Sequence, residues 1–341
     1  MLRSTPMRTF PIIFLLALTI TGFSTPWVRR AAIALGFVDE PARRKLHSTP
    51  MPLMGGVAIV AGFAIALLFF YGSLPRTVTA VLLASITIAL IGLLDDRYDL
   101  PAWLKFTAEF GVVGLLLAFD IGVKLPLPAI VNYLITFIWI VGITNAINFL
   151  DNMDGLSAGL SAVSAAFILL LGSTGGQFLV STLAAAILGS CLGFLRYNFK
   201  PAKIFMGDVG ALFLGFLLAV IGLQLRFPEN RSIITWMVPV FIMGVPIFDM
   251  SLVVFSRLRR GLNPMTTPGK DHISHRLVDL GFSQREAVLI LYLLAGMLGM
   301  MGLFISEANA IEAYTLGTLV FLFAIYAIWW LEKQREGRAK T

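Results

Sequence analysis

Four polar residues close one long apolar run at spacings of three: Asn145, Asn148, Asp151 and Asp154, in the stretch NAINFLDNMDGLSAGL. On a helix, each would neighbour the next along one ribbon of surface. A charge at bilayer depth costs roughly 2.5–3.5 kcal/mol on the mildest scale. Carboxylates and amides at a membrane boundary therefore need a partner or a purpose. A hard cation holding a phosphate would supply one. Magnesium takes oxygen ligands and typically keeps one or two carboxylates, with water and substrate phosphates around it. Asn148, Asp151 and Asp154 are the candidate oxygen ligands. Asn145 and Asn152 also read as amides satisfying a network between helices.

Four further stretches carry chemistry. Residues 93–106, LLDDRYDLPAWLKF, end one apolar run with Asp95 and Asp96 and start the next near Lys105. Adjacent carboxylates repel, which favours a cation or a shared proton between them. Lys105 reads as a snorkelling side chain or as a holder of lipid phosphate. Residues 196–210, RYNFKPAKIFMGDVG, place Asp208 between Gly207 and Gly210 at the start of a run. Glycines admit close backbone approach, a helix N-terminus favours anions, and Asp208 also suits an N-cap. Residues 39–56, DEPARRKLHSTPMPLMGG, join a basic cluster, His47 and a Pro/Gly turn. They read as an anchor for anionic head groups or as a phosphate holder. In residues 268–277, PGKDHISHRL, His272 and His275 share a helical face beside Arg276, a set that suits a diphosphate. Without a third ligand or an H-E-x-x-H pattern, zinc is disfavoured there.

The elements that must position these residues are membrane helices. The chain is 58% hydrophobic and 13% charged with a mean hydropathy of +0.87, which excludes an ordinary soluble domain. Eleven apolar runs of spanning length fall near 9–27, 53–71, 77–94, 102–119, 127–147, 156–172, 177–195, 209–225, 232–256, 286–305 and 311–331. The first reads as a span, since no small-residue cleavage site follows it. No internal repeat and no soluble insertion interrupts the series. Sorting loops alternately puts 20 of the 26 Lys and Arg on one face. The positive-inside rule makes that face cytoplasmic, with the N-terminus outside and the C-terminus inside. All three histidines and the polar stretches above lie on it. The net charge of +7 then reflects inner loops, not a nucleic-acid surface. The single cysteine, Cys191, reads as a buried hydrophobe.

Together these stretches resemble the polyprenyl-phosphate N-acetylhexosamine-1-phosphate transferase superfamily, glycosyltransferase family 4. The similarity rests on the PxxGG element at 52–56, Asp95–Asp96 with Lys105, the run 145–155, the stretch 198–210 and the element 272–276. It covers about 39–280 in the family's order, within one integral membrane domain. The resemblance implies an all-α polytopic enzyme of the bacterial plasma membrane, its active site on the cytoplasmic face. It implies a magnesium-dependent reaction, with manganese as a substitute, that transfers a sugar 1-phosphate from a UDP-N-acetyl sugar to undecaprenyl phosphate and releases UMP. By position, Asp208 is the implied metal ligand with Asn148 beside it. Asp95 and Asp96 would act on the lipid phosphate that Lys105 holds. Asp151 and Asp154 would sit at the nucleotide diphosphate or assist catalysis. Asn198 and Phe205 would lie near uridine, and His272, His275 and Arg276 would bind diphosphate or sugar, while His47 with the basic cluster would hold substrate phosphate. Ser274 stands where the family's histidine element often has a middle His, and Ala211 where Ser often follows GDxG. Both departures bear on sugar preference or rate.

The overall pattern is closer to the branch using UDP-N-acetylglucosamine than to the muramyl-pentapeptide branch, whose histidines usually form a triplet. The implied partners are the lipid carrier, the nucleotide sugar and the bilayer, with a homodimer allowed and nucleic acid excluded. A transporter is disfavoured because the acids gather at one face and no inverted repeat is present. An intramembrane aspartyl protease would want G-x-G before its second Asp, where Phe205 to Asp208 reads FMGD. A CDP-alcohol phosphotransferase would want Arg near Asp154 and Gly155, where SAGLSAV follows.

Overall fold

The computed structural model describes residues 6–39, 50–70, 75–264, 267 and 269–339. The chain divides into two compact units, Met1–Arg226 and Phe227–Thr341. The first contains α1 (Pro6–Ala34), β1 (Val38–Asp39), β2 (Met51–Pro52), α2 (Gly55–Phe70), α3 (Arg76–Tyr98), α4 (Ala102–Ala118), α5 (Ala129–Phe149), α6 (Leu156–Thr174), α7 (Phe178–Asn198) and α8 (Asp208–Gln224). The second contains α9 (Ser232–Thr235), α10 (Met237–Ile242), α11 (Gly244–Arg259), α12 (Ile273–Asp279), α13 (Gln284–Glu307) and α14 (Ala310–Ala339). The all-α expectation holds apart from β1 and β2, which pair antiparallel with Val38 opposite Pro52.

Each of the eleven apolar runs falls on helix. Helices α3, α4 and α5 start directly behind Pro75, Pro101 and Pro128. Proline has no N–H to leave unsatisfied at a helix start, and its fixed φ suits the turn. Helix α13 starts with a capping box, Ser283 and Glu286 each bonding the other's backbone N–H. Among the described residues, seven helices are long and apolar enough to cross a membrane, or eight with a bent pair counted as one span. The pair is the run 232–256, which bends by 74° between α10 and α11. Pro246 lies just past the bend and has no N–H for the carbonyl of Ile242.

In the first unit α8 is the central post. Every residue from Val209 to Gly222 is buried, and α2, α3, α5 and α6 pack around it. Phe213 meets Phe63 of α2 edge to face, with ring centroids 5.4 Å apart. A helix apolar all round is a core helix. Being central is what lets α8 carry Asp208 at its N-terminal end to the ends of several neighbours at once. In the second unit, α14 instead exposes Phe321, Leu322, Phe323, Ile325, Tyr326 and Trp329, as a helix facing lipid would.

Candidate active site

Asp95, Asp96, Lys105 and Asp208 form one cluster in the first unit. Asp95, in the last turn of α3, is 8% exposed. It accepts from Lys105 Nζ at 2.6 Å and from the Leu100 N–H at 2.8 Å. Lys105 Nζ also stands 3.7 Å from Asp208 Oδ2. The Asp95 and Asp208 carboxyls are within hydrogen-bonding reach of each other. Two carboxyls this close need a proton or a cation between them, and one lysine cannot balance the three carboxylates gathered here.

Asp96 has a role that local sequence does not reveal. Its Oδ1 accepts the Asp208 N–H at 2.8 Å and its Oδ2 accepts the Val209 N–H at 3.3 Å. The expected N-cap role of Asp208 is therefore corrected. Gly207 occupies the N-cap position without a side chain, and Asp96 supplies the cap from α3. Gly207 has φ +73°, and a Cβ there would lie 2.4 Å from Asp96 Oδ2. Asp208 is consequently free to aim its own carboxyl at Asp95 and Lys105.

The PxxGG element is the seat for this turn. Phe205 N–H donates to the Pro52 carbonyl, Gly55 N–H to Phe205 and Gly56 N–H to Met206, at 2.8–2.9 Å. A Cβ on Gly56 would meet Gly210 N at 2.2 Å, and one on Gly92 would meet the Asp208 carbonyl O at 2.5 Å. These glycines serve backbone-to-backbone packing of α2 and α3 against α8.

The ribbon of four polar residues is corrected in part. Helix α5 ends at Phe149, so Asn145 and Asn148 are helical while Asp151 and Asp154 lie in the connector to α6. Gly155 reverses the chain there in the left-handed conformation, φ +79°. Asp154 Oδ2 accepts the Ala202 N–H at 3.0 Å, with Lys200 Nζ at 3.4 Å. Asn198, expected near uridine, is buried with both ends engaged: Oδ1 accepts the Gly155 N–H and Nδ2 donates to the Ile204 carbonyl, each at 3.0 Å. It ties the connector 150–155 to the loop that delivers Asp208. Phe205 lies in that loop and its backbone is part of the PxxGG seat. Burial, with Asp96 and Asp154 nearby, pushes the Asp151 carboxyl up to about 7.

Glu109 was not found from the sequence. It is 3% exposed in α4 and accepts from Asn145 Nδ2 at 2.8 Å, which is the partner the amide reading of Asn145 required. The available signal was its spacing, four residues past Lys105 on the same helix face.

In the second unit, His272 Nδ1 lies 2.8 Å from Asp249 Oδ2, and Asp249 Oδ1 accepts the Ile273 N–H at 2.7 Å. Asp271 accepts from Arg257, Arg260 and Arg335. Burial opposes its charge, but those guanidinium groups hold its carboxyl below the ordinary range. Arg276, expected as a diphosphate ligand, is 5% exposed and donates to the Asp271 carbonyl, Ser256 Oγ and Glu332. His275 stands with its ring centroid 6.3 Å from that of His272. Burial, then the neighbouring His272 and Lys270, push its imidazole down to about 4. It therefore offers a neutral ring at pH 7. His47 lies outside the described residues.

No three His, Cys, Asp or Glu side chains among the described residues converge as a ready metal cage. Magnesium does not require such a cage: it needs few protein ligands and takes phosphate oxygens as well. The all-oxygen donors and the unbalanced Asp95–Asp208 pair fit such an ion.

Residues 78–226 match the glycosyl transferase family 4 profile. Over 330 residues the chain is 37% identical to a probable undecaprenyl-phosphate N-acetylglucosaminyl 1-phosphate transferase of Bacillus subtilis, covering 93% of this chain and 88% of the relative. A decaprenyl-phosphate N-acetylglucosaminephosphotransferase of Mycolicibacterium smegmatis is 34% identical, over 86% of this chain and 81% of its own. An undecaprenyl-phosphate alpha-N-acetylglucosaminyl 1-phosphate transferase of Escherichia coli is 28% identical, over 88% and 84%. With the acidic cluster, its glycine seat and the histidine element all within the aligned length, the chain belongs to glycosyl transferase family 4, the polyprenyl-phosphate N-acetylhexosamine-1-phosphate transferases.

Proposed function

We propose that this protein transfers N-acetylglucosamine 1-phosphate from UDP-N-acetylglucosamine to undecaprenyl phosphate, releases UMP and so starts a cell-envelope glycan. The observation that carries the reading is the Asp95–Lys105–Asp208 cluster at the meeting of α3, α4 and α8, in a chain so similar to the Bacillus relative. Asp208 and Asn148 would hold a magnesium ion, with manganese as a substitute. The ion would neutralise the diphosphate and the charge of the leaving phosphate.

The chain's own groups account for the remainder. Lys105 holds the lipid phosphate, which lies at the interface where α4 starts. Asp95 keeps the ammonium aimed. Asp151, with its carboxyl near neutrality, takes the proton from the lipid phosphate as its oxygen attacks the sugar-bearing phosphorus. The bond to the UMP phosphate then breaks in line. Asp154 and Asn198 fix the connector that carries Asp151. His272 and the neutral His275 ring bind the donor's diphosphate by hydrogen bonds, with Arg276 bracing that element from behind. In this reading the donor arrives from the cytoplasm, where nucleotide sugars are available. All eleven apolar segments cross the membrane in this reading, with the N-terminus outside and the C-terminus inside.

Purified protein in lipid, given undecaprenyl phosphate, UDP-N-acetylglucosamine and magnesium, is expected to release UMP and form a labelled lipid, both lost on adding chelator. Release of UDP would mean ordinary glycosyl transfer and would overturn the reading.

A further inference from the structure

We propose that Asp249 is a positioning residue for the reaction: it holds the proton of His272 on Nδ1 and so presents Nε2 as the nitrogen that meets substrate phosphate. The inference rests on the reading of His272 as a ligand of the donor diphosphate.

Asp249 is a lone acid in an apolar stretch, VPIFDMSLVV, with no solvent exposure at all. A carboxylate placed there must have its oxygens satisfied. Both partners come from one place, the start of α12. Oδ2 faces His272 Nδ1 at 2.8 Å, and Oδ1 accepts the N–H of Ile273 at 2.7 Å. An ionised carboxylate only accepts, so the ring nitrogen opposite it carries the hydrogen. In a neutral imidazole that leaves Nε2 as the lone-pair nitrogen, and in the imidazolium it becomes a second donor. One carboxylate thus sets backbone and ring together.

The flanking residues are pinned independently. Asp271 is held by three arginines, and Arg276 spans the Asp271 carbonyl, Ser256 and Glu332 of α14. Such a frame fixes where His272 stands. Asp249, facing Nδ1, bears on which of its nitrogens carries the hydrogen.

A mere capping role predicts something different, and Asp249→Asn separates the two. The amide oxygen still accepts the Ile273 N–H, so the helix start is kept. The amide nitrogen donates to Nδ1 and drives the hydrogen to Nε2. The full chain, labelled with 15N-histidine and reconstituted in lipid at about pH 8.5, roughly two units above the ordinary histidine value, is read by NMR. It has only three histidines, assigned with His47→Gln and His275→Gln. The wild type is expected to show His272 protonated on Nδ1, and Asp249→Asn on Nε2, with UMP release down about 10–100-fold, the usual effect of losing such a partner. A wild-type ring protonated on Nε2 overturns the inference, and so does an Asp249→Asn variant with unchanged tautomer or unchanged turnover. If the variant does not fold, the wild-type spectrum still decides. A wild type that releases no UMP sinks the transferase reading instead, while the tautomer is read without any turnover.

Discussion

In the proposed reaction Asp208 and Asp151 would divide the work of one site, Asp208 holding the cation and Asp151 taking the proton. Asp208→Asn keeps the size of the side chain and the Asp96 cap, since the cap is made to backbone N–H groups. Turnover is expected to fall at least about 100-fold, the scale of losing one group that stabilises transferred charge. Insertion and melting should stay near the wild type, and full activity in this variant would remove Asp208 from the metal. Asp151 gives a pH test. Its carboxyl is raised to about 7, so it is protonated below that value and available as a base above it. The rate should climb with pH up to about 7 and then level. Asp151→Asn should give a low rate without that inflection, and a variant keeping both rate and inflection would exclude Asp151 as the base. These acids were legible in the sequence because charge beside apolar runs is costly and therefore conspicuous. The second task of Asp96 was not, because its partners lie 112 and 113 residues away. Asp249 was hidden for a related reason: inside an apolar run it reads as part of a span until α12 folds back onto it.

Helix packing decides how closely those residues meet. The expectation of helix from 145 onward failed at Phe149 because Gly155 and the Asn198 tie favour a tight connector over another turn. Close approach was expected of Gly207 and Gly210 toward a ligand, whereas the PxxGG glycines, read only as a Pro/Gly turn, proved to pack on the backbones of α8 and its preceding loop. Gly56→Ala tests this. Its Cβ would lie 2.2 Å from Gly210 N, and backbone cannot step aside as a side chain can. A loss of about 1–3 kcal/mol is expected from overpacking, read as a lower melting temperature together with lost turnover. An unaffected variant would mean that α2 is free to slide on α8. The cap from Asp96 gives a second comparison. Asp96→Ala leaves two N–H groups of α8 unpaired and should cost about 0.5–2 kcal/mol, while Asp96→Asn keeps one acceptor and should lose less. Equal melting of the two variants would show that the cap contributes nothing.

At the scale of the whole chain, the number of crossings fixes which side each end occupies, and parity makes that a sharp test. Eight crossings put both ends on one side, whereas eleven put them on opposite sides. Helix counting by length favours the smaller number because α2 and α8 have 16 and 17 residues, about 24 and 26 Å, against an apolar core of about 30 Å. Length is a poor criterion for these two. Helix α8 is buried along its length, so it need not match the lipid thickness that a lipid-facing helix must match. Helix α4 carries Lys105 and Glu109, each with a partner inside the protein, which lowers its hydropathy without exposing charge to lipid. The distribution of Lys and Arg is independent of helix length and favours eleven. A cysteine introduced at Ser4, ahead of the first apolar run, in one variant and at Gly337 in another, with Cys191 replaced by serine, should therefore be labelled from opposite faces by a membrane-impermeant maleimide in intact cells and inverted vesicles. Labelling of both from the same face would remove an odd number of crossings from the proposed eleven, and the short helices α2, α4 and α8 would be the first to lose that status.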